Sequence, residues 1–248
     1  MVIRPHFGDH MTKDVNKASE TEPLDFATYV FNHARACEQR GDRRAAMKSY
    51  AHAWRASASA ENQILPSIAR SEMLSMAQLI NDTIFSTALY RDLISTFTIQ
   101  HRNMAAWAHH DLGKIFRNAW QHGEIVNPGD AIKHFVAARD EFIEIWEARS
   151  AALVEMDLAH IYMEINKIDQ AVALLESARA TWQSLDEPGG AGECALSLGD
   201  CFTLLGKNNE AVNVYQLAVE DFDKAGNDQA MNSALEKVSS PETVKSEN

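Results

Sequence analysis

From Asp25 onward the apolar residues recur at intervals of three and four, and the pattern itself repeats every 40 residues. It is clearest at 191–225, AGECALSLGDCFTLLGKNNEAVNVYQLAVEDFDKA, which reads as two amphipathic helices joined by a turn at 206–209. Forty residues earlier, 151–185 answers it position by position. Leu158 stands for Leu198, Tyr162 for Phe202, Ala171 for Ala211, Leu175 for Tyr215 and Ala178 for Ala218. Ala131, Phe135 and Ala138 stand one step further back. A fixed period of this kind means stacked supersecondary units, none able to bury its apolar face alone.

The expected fold class is therefore all-α: an α-solenoid of about five antiparallel helix-pair repeats with a C-terminal capping helix. Residues 1–23 are polar and read as a flexible N-terminal tail, 24–238 as the repeat array, and 239–248 as a flexible C-terminal tail. The first repeat, 25–60, carries a stripe of Phe26, Tyr29, Val30, His33, Ala34 and Cys37. After Gly41-Asp42 a second stripe follows at Ala46, Tyr50, Ala53 and Trp54. The second repeat, about 66–100, is degenerate. Pro66 opens it, Asn81-Asp82-Thr83 offers capping side chains, and 84–99 is rich in β-branched residues. A strand is conceivable there, but the stripe Ile84, Ala88, Leu89, Leu93 and Phe97 favours a helix. The third repeat, 104–149, has extra residues at 121–129 between its helices, which a solenoid places in a loop on one face. Repeats four and five are regular, with 186–190 as the turn between them, and Asp228 is placed to cap the last helix.

Composition narrows the partner more than the fold. With 23 Lys and Arg against 35 Asp and Glu, the net charge is −12. Phosphate binding needs clustered cations, so nucleic acid and anionic membrane are excluded as main partners, and the bias is toward basic ones. Cys37, Cys194 and Cys201 lack metal spacing and read as small apolar residues of a reducing compartment. No apolar run has signal-peptide or membrane-span length, so a cytoplasmic location is expected, with Met1 or Met11 as the start.

With Leu198-Gly199, Phe202, Gly206, Ala211, Tyr215 and Ala218 in place, the unit resembles a tetratricopeptide (TPR) repeat, in a long 40-residue variant. Ala34, Cys37, Gly41, Ala46, Tyr50 and Ala53 match in the first repeat, and Leu112, Gly113, Phe116, Ala131, Phe135 and Ala138 in the third. A period of 40 rather than 34 implies longer second helices. The resemblance implies that the first helix of each repeat faces a concave groove holding a peptide or partner helix. Carried over residue by residue, that groove is Phe31, Arg35 and Glu38; Leu74, Gln78 and Asn81; and Trp107, His110, Lys114, Arg117 and Asn118. It continues through Leu153, Met156, His160 and Met163 to Glu193, Leu196, Asp200 and Thr203. Lys114 and Arg117 would take an acidic group beside apolar anchors. Trp107, Leu153 and Met156 could equally pack between repeats. The carboxylate-clamp subtype of TPR co-chaperones is excluded, because Phe31 and Arg35 stand where Lys and Asn are wanted.

Catalytic chemistry has little support. His109, His110 and His160 are the best metal-ligand candidates, but adjacent helical residues point about 100° apart, and neither HExxH nor paired CxxC occurs. The run 188–192 is glycine-rich before a helix but lacks the phosphate-loop pattern. Asn81-Asp82-Thr83 fits a glycosylation acceptor, yet reads as a cap. The expectation is a non-enzymatic, cytoplasmic interaction module with no cofactor and no metal, binding a protein or peptide. The alternative is a peptide-responsive regulator acting through a separate effector, since the first 24 residues are too short for a helix-turn-helix. A homodimer stays open.

Overall fold

A computed structural model describes residues 23–60, 63–97, 101–124 and 127–240. The tail expectations for 1–22 and 241–248 lie outside the described residues, as does Ile125 in the long connection. Eleven helices and no strand occur among the described residues: α1 Pro23–Gln39, α2 Arg43–Ala56, α3 Ile64–Ile80, α4 Thr83–Thr96, α5 Arg102–Gln121, α6 Pro128–Glu144, α7 Ala148–Glu164, α8 Ile168–Ser184, α9 Pro188–Leu204, α10 Asn208–Lys224 and α11 Asp228–Val238. The β-branched stretch after Asn81 is helical, because its buried stripe of Ser86, Thr87, Tyr90 and Leu93 has helical spacing. The array is an all-α TPR-like fold of helix pairs, divided into two compact units, 1–111 and 112–248, which share α5.

Within the second unit the true module is half the 40-residue period. Helices α6 to α10 are each 17 residues long and three residues link each to the next. Ala131, Ala151, Ala171, Ala191 and Ala211 recur at 20-residue steps and are all buried. First and second helices are thus equally long, which corrects the expectation that only the second helices lengthen. Each link closes in the same way. The amide after the left-handed residue donates back to the carbonyl five residues earlier, as Lys207 does to Phe202 at 2.8 Å and Glu187 to Trp182 at 3.0 Å. The left-handed residue is Asn166, Asp186, Gly206 or Gly226 in four of these links, with φ between 56° and 70°. In the fifth it is Trp146, at φ 63°. A large side chain there costs roughly 1–2 kcal/mol, because its Cβ crowds the following carbonyl.

Side-chain caps appear where the sequence placed acceptors. Asp42 accepts from the Ala45 amide at 3.1 Å, and Asp82 from Phe85 at 2.9 Å. The last helix is capped by Asn227, which accepts from Ala230 at 3.1 Å, rather than by Asp228, which sits in its first turn. The insertion at 121–129 is partly helical, since α5 runs on to Gln121 before Gly123 and the Asn127 cap. The glycine-rich 188–192 is likewise no turn. Pro188 starts α9, and Gly190, Gly192 and Gly199 make room for the rings of Trp182, Phe222 and Tyr215. A Cβ on Gly190 would lie 2.4 Å from the Trp182 ring, and one on Gly199 would lie 2.3 Å from Tyr215. Core density in this unit comes from rings set against glycine.

In the first unit α1, α2 and α3 pack in sequence around Tyr50 and Trp54, both fully buried. The Tyr50 hydroxyl donates to Glu38 at 2.8 Å, and the Trp54 ring lies 5.2 Å from that of Phe97. Deeper polar order is supplied by Asp111, whose side chain is fully buried. Arg70 donates to both of its oxygens, from Nε at 2.7 Å and from a terminal nitrogen at 2.5 Å, while the guanidinium stacks 3.8 Å from the Trp107 ring centre. Burial alone would raise the Asp111 pKa, but the Arg70 charge, with hydrogen bonds from His110 and Arg70, holds it below the ordinary 3.8. Burial, and then that same carboxylate, push the Tyr90 phenol well above its ordinary value.

Candidate functional site

In the second unit the first helices of successive pairs, α7, α9 and then α11, line an open cavity of about 410 Å³. Its lining is Met156 and His160 from α7, Glu193, Leu196 and Ser197 from α9, and Gln229, Ala230 and Ser233 from α11. Phe222 and Asn227 complete it. The 40-residue step explains the register: Met156 leads to Leu196, and Glu193 leads to Ser233. Leu196, Phe222 and Ala230 give an apolar floor, and amides and hydroxyls stand around it. That mixture suits a side chain or short segment that needs both burial and orientation. His160 faces Ser197, with Nε2 and the hydroxyl 3.3 Å apart.

Burial, and next the charge of Arg117, lower the His160 pKa from 6.5. The unfolded chain therefore takes up this proton first as pH falls. The associated stability is complete above the ordinary pKa of 6.5 and is lost as pH drops from there toward the folded value. Urea unfolding at about pH 7.5 and about pH 5.5 should show a larger acid-side loss in the natural chain than in His160→Gln. Equal losses would show that His160 does not carry the effect. The thiols of Cys194 and Cys201 are pushed up to about 12 and about 11, chiefly by burial, which marks them as protonated packing groups.

Several residues expected to face a ligand are used inside the fold. His110 is 1% exposed, 3.3 Å from Arg70, and therefore belongs to the Asp111 network. Met156 is 6% exposed, and its sulfur receives the Trp182 indole N–H at 3.4 Å. Lys114 lies 3.7 Å from Asp157, and Arg117 pairs with Glu164, which also accepts from Gln121 at 2.7 Å. Asp200 accepts from the Tyr215 hydroxyl at 2.6 Å and from Lys237 at 2.7 Å. Lys114 and Arg117, expected beside an acidic ligand, thus have acidic partners within the chain. Both already face carboxylates on the next first helix, a tie that holds one repeat to another.

The remaining expected groove residues lie outside this cavity. In the first unit Phe31 and Leu74 are half-buried, with Phe31 5.4 Å from the Tyr50 ring, while Arg35 and Gln78 are exposed. Trp107 lines a smaller cavity of about 140 Å³ with Trp54, Pro66, Arg70, Asn103 and Met104. Asn118 and Met163 are half-buried in the second unit, outside the large cavity lining. Phe222, Asn227, Gln229, Ala230 and Ser233 escaped sequence reasoning because α11 read only as a cap. Extending the 40-residue step once more would have placed it as another first helix. His109, His110 and His160 do not form a metal site: among the described residues no three His, Cys, Asp or Glu side chains converge. No described helix is long and apolar enough to cross a membrane.

Residues 150–224 match the tetratricopeptide repeat family model, and no curated protein matches the chain in sequence. Among solved structures, a Rap protein complexed with competence and sporulation factor is 15% identical with a TM-score of 0.58; the match covers 92% of this chain and 62% of that one. Aspartyl phosphate phosphatase F from Bacillus subtilis is 14% identical with a TM-score of 0.65, covering 94% of this chain and 60% of its own. The chain thus spans about three fifths of the length of these two proteins. Kinesin light chain TPR-like repeats from Podospora anserina are 14% identical at a TM-score of 0.56, covering 84% of this chain and 99% of theirs. At such identities the likeness is one of fold. Residues 150–224 thus belong to the tetratricopeptide repeat family, and the rest of the described chain shares the TPR-like fold of helix pairs.

Proposed function

We propose that this chain is a non-enzymatic interaction module that binds a peptide or protein segment between α7, α9 and α11. The observation that carries the reading is the cavity of about 410 Å³ on the first-helix faces, part apolar and part hydrogen-bonding. Its size lies in the range of ligand sites that hold one or a few side chains. Binding would rest on burial over Leu196, Phe222 and Ala230, with Asn227, Gln229 and Ser233 giving direction. A Rap protein complexed with competence and sporulation factor and the Rap conjugation gene regulator of plasmid pLS20 in complex with the Phr* peptide share this fold, which supports the proposal.

Ser233→Trp tests it, because Ser233 is exposed and a large ring there fills the cavity without entering the core. Capture from a native lysate should lose its specific partner with Ser233→Trp, while thermal unfolding stays unchanged. Retention of every specific partner at natural levels would reject the site. A second reading, a peptide-responsive regulator acting through a separate effector, draws on α11 itself. This helix supplies Gln229, Ala230 and Ser233 to the lining and is held by the Lys237–Asp200 pair. A ligand bridging it to α7 would firm the end of the array. Hydrogen exchange slowed in α11 by the captured partner would favour this reading, and unchanged exchange would count against it.

A further inference from the structure

The charged side chains of α7 and α9 are tied to neighbours, with one exception. On α7, Arg149 pairs with Glu187, Asp157 faces Lys114, Glu164 holds Arg117 and Glu155 accepts from Ser177. On α9, Asp200 holds Lys237. Glu193, also on α9, is exposed and has neither an ion pair nor a hydrogen bond among the described residues, yet it lines the cavity. No Lys or Arg shares that lining. His160 does, but burial, and next the charge of Arg117, lower its pKa from 6.5, so it is neutral at pH 7 and offers Glu193 no countercharge. One pair earlier and one pair later the same position holds Leu153 and Ser233. The repeat itself therefore does not ask for a carboxylate here.

Leu196 and Ser197 follow Glu193 by three and four residues, so all three share one helix face. An unpaired carboxylate thus stands beside an apolar floor and a hydroxyl. A ligand with a carboxylate of its own would meet Glu193 with no cation in the lining to offset the repulsion. A long basic side chain suits both parts, since its stem is apolar and only its tip is charged. Building on the reading of this cavity as a binding site, we propose that it takes a basic side chain, arginine or lysine, of a peptide or protein segment. The charge pairs with Glu193 and the stem lies over Leu196 and Ala230. Hydroxyl and amide oxygens of Ser197, Gln229 and Ser233 are acceptors for the remaining N–H groups, which favours the five donors of a guanidinium.

The test is calorimetric titration of the full chain with two capped peptides, acetyl-Leu-Arg-Leu-amide and its counterpart with citrulline, the neutral isostere of arginine. The arginine peptide should bind about threefold to tenfold tighter. Glu193→Gln should abolish that preference and leave the melting temperature unchanged, since Glu193 holds no partner in the fold. Ser233→Trp should weaken both peptides alike. Equal affinity of the two peptides for the natural chain, with both weakened by Ser233→Trp, overturns the basic ligand while the cavity reading stands. A preference that survives Glu193→Gln overturns it as well. So does the absence of binding by either peptide at millimolar concentration, and the Ser233→Trp capture then decides whether the cavity reading falls too.

Discussion

Arg70→Ala is expected to cost about 3–5 kcal/mol in urea unfolding, because it strands a charge that has no access to water. The Asp111 carboxylate is 0% exposed, and Arg70 supplies two of its hydrogen bonds and most of its favourable field. Without the guanidinium, Asp111 must stay ionised in a low dielectric with His110 beside it, or take up a proton as burial raises its pKa. Asp111→Ala should cost less. The Arg70 side chain is 21% exposed and can turn its charge to solvent once the carboxylate is gone. The asymmetry is the informative part: equal losses would mean that the pair contributes through packing over Trp107 rather than through burial of charge. The double change Arg70→Met with Asp111→Leu should recover most of the loss, since apolar side chains of similar volume often replace a buried pair without penalty.

The second large effect falls on α9. Gly199→Ala is expected to cost about 1–3 kcal/mol, although alanine is the better helix former by about 1 kcal/mol. The added Cβ would sit 2.3 Å from the Tyr215 ring, whose hydroxyl is fixed by Asp200 at 2.6 Å and lies 3.3 Å from Thr203. The ring cannot slide away without breaking that anchor. Tyr215→Leu should therefore relieve the clash, and the double variant should be more stable than the sum of the two single losses predicts. Simple additivity in thermal or urea unfolding would show that Gly199 is there for backbone reasons alone.

These two cases also show how far the chain could be read. Gly199 and Tyr215 were legible as matched positions of a repeat, because local spacing places them on facing helices of one pair. The 40-residue period correctly marked the first helices, and Leu196 and His160 do line the open cavity. It did not reveal that Lys114, Arg117 and His110 would be used inside the fold. Their partners Asp157, Glu164 and Arg70 lie about one repeat away, and a one-dimensional pattern does not show which long side chains meet across it. Trp146 was overlooked for the opposite reason. An exposed tryptophan leaves no mark on apolar periodicity, and only the backbone angle of its link sets it apart.

By itself the sequence determined the helices and their pairing order, since both depend on contacts within about 40 residues. Alanine and glycine at fixed steps let the helices of neighbouring pairs approach closely. Tertiary structure alone decided which polar groups stay available. Hydrogen bonds and ion pairs between repeats are set by side-chain length and direction, and these removed charges from the surface that composition had offered to a ligand. It also turned α11 from a cap into a wall of the cavity, because a helix end becomes a binding surface only when its neighbours leave space beside it.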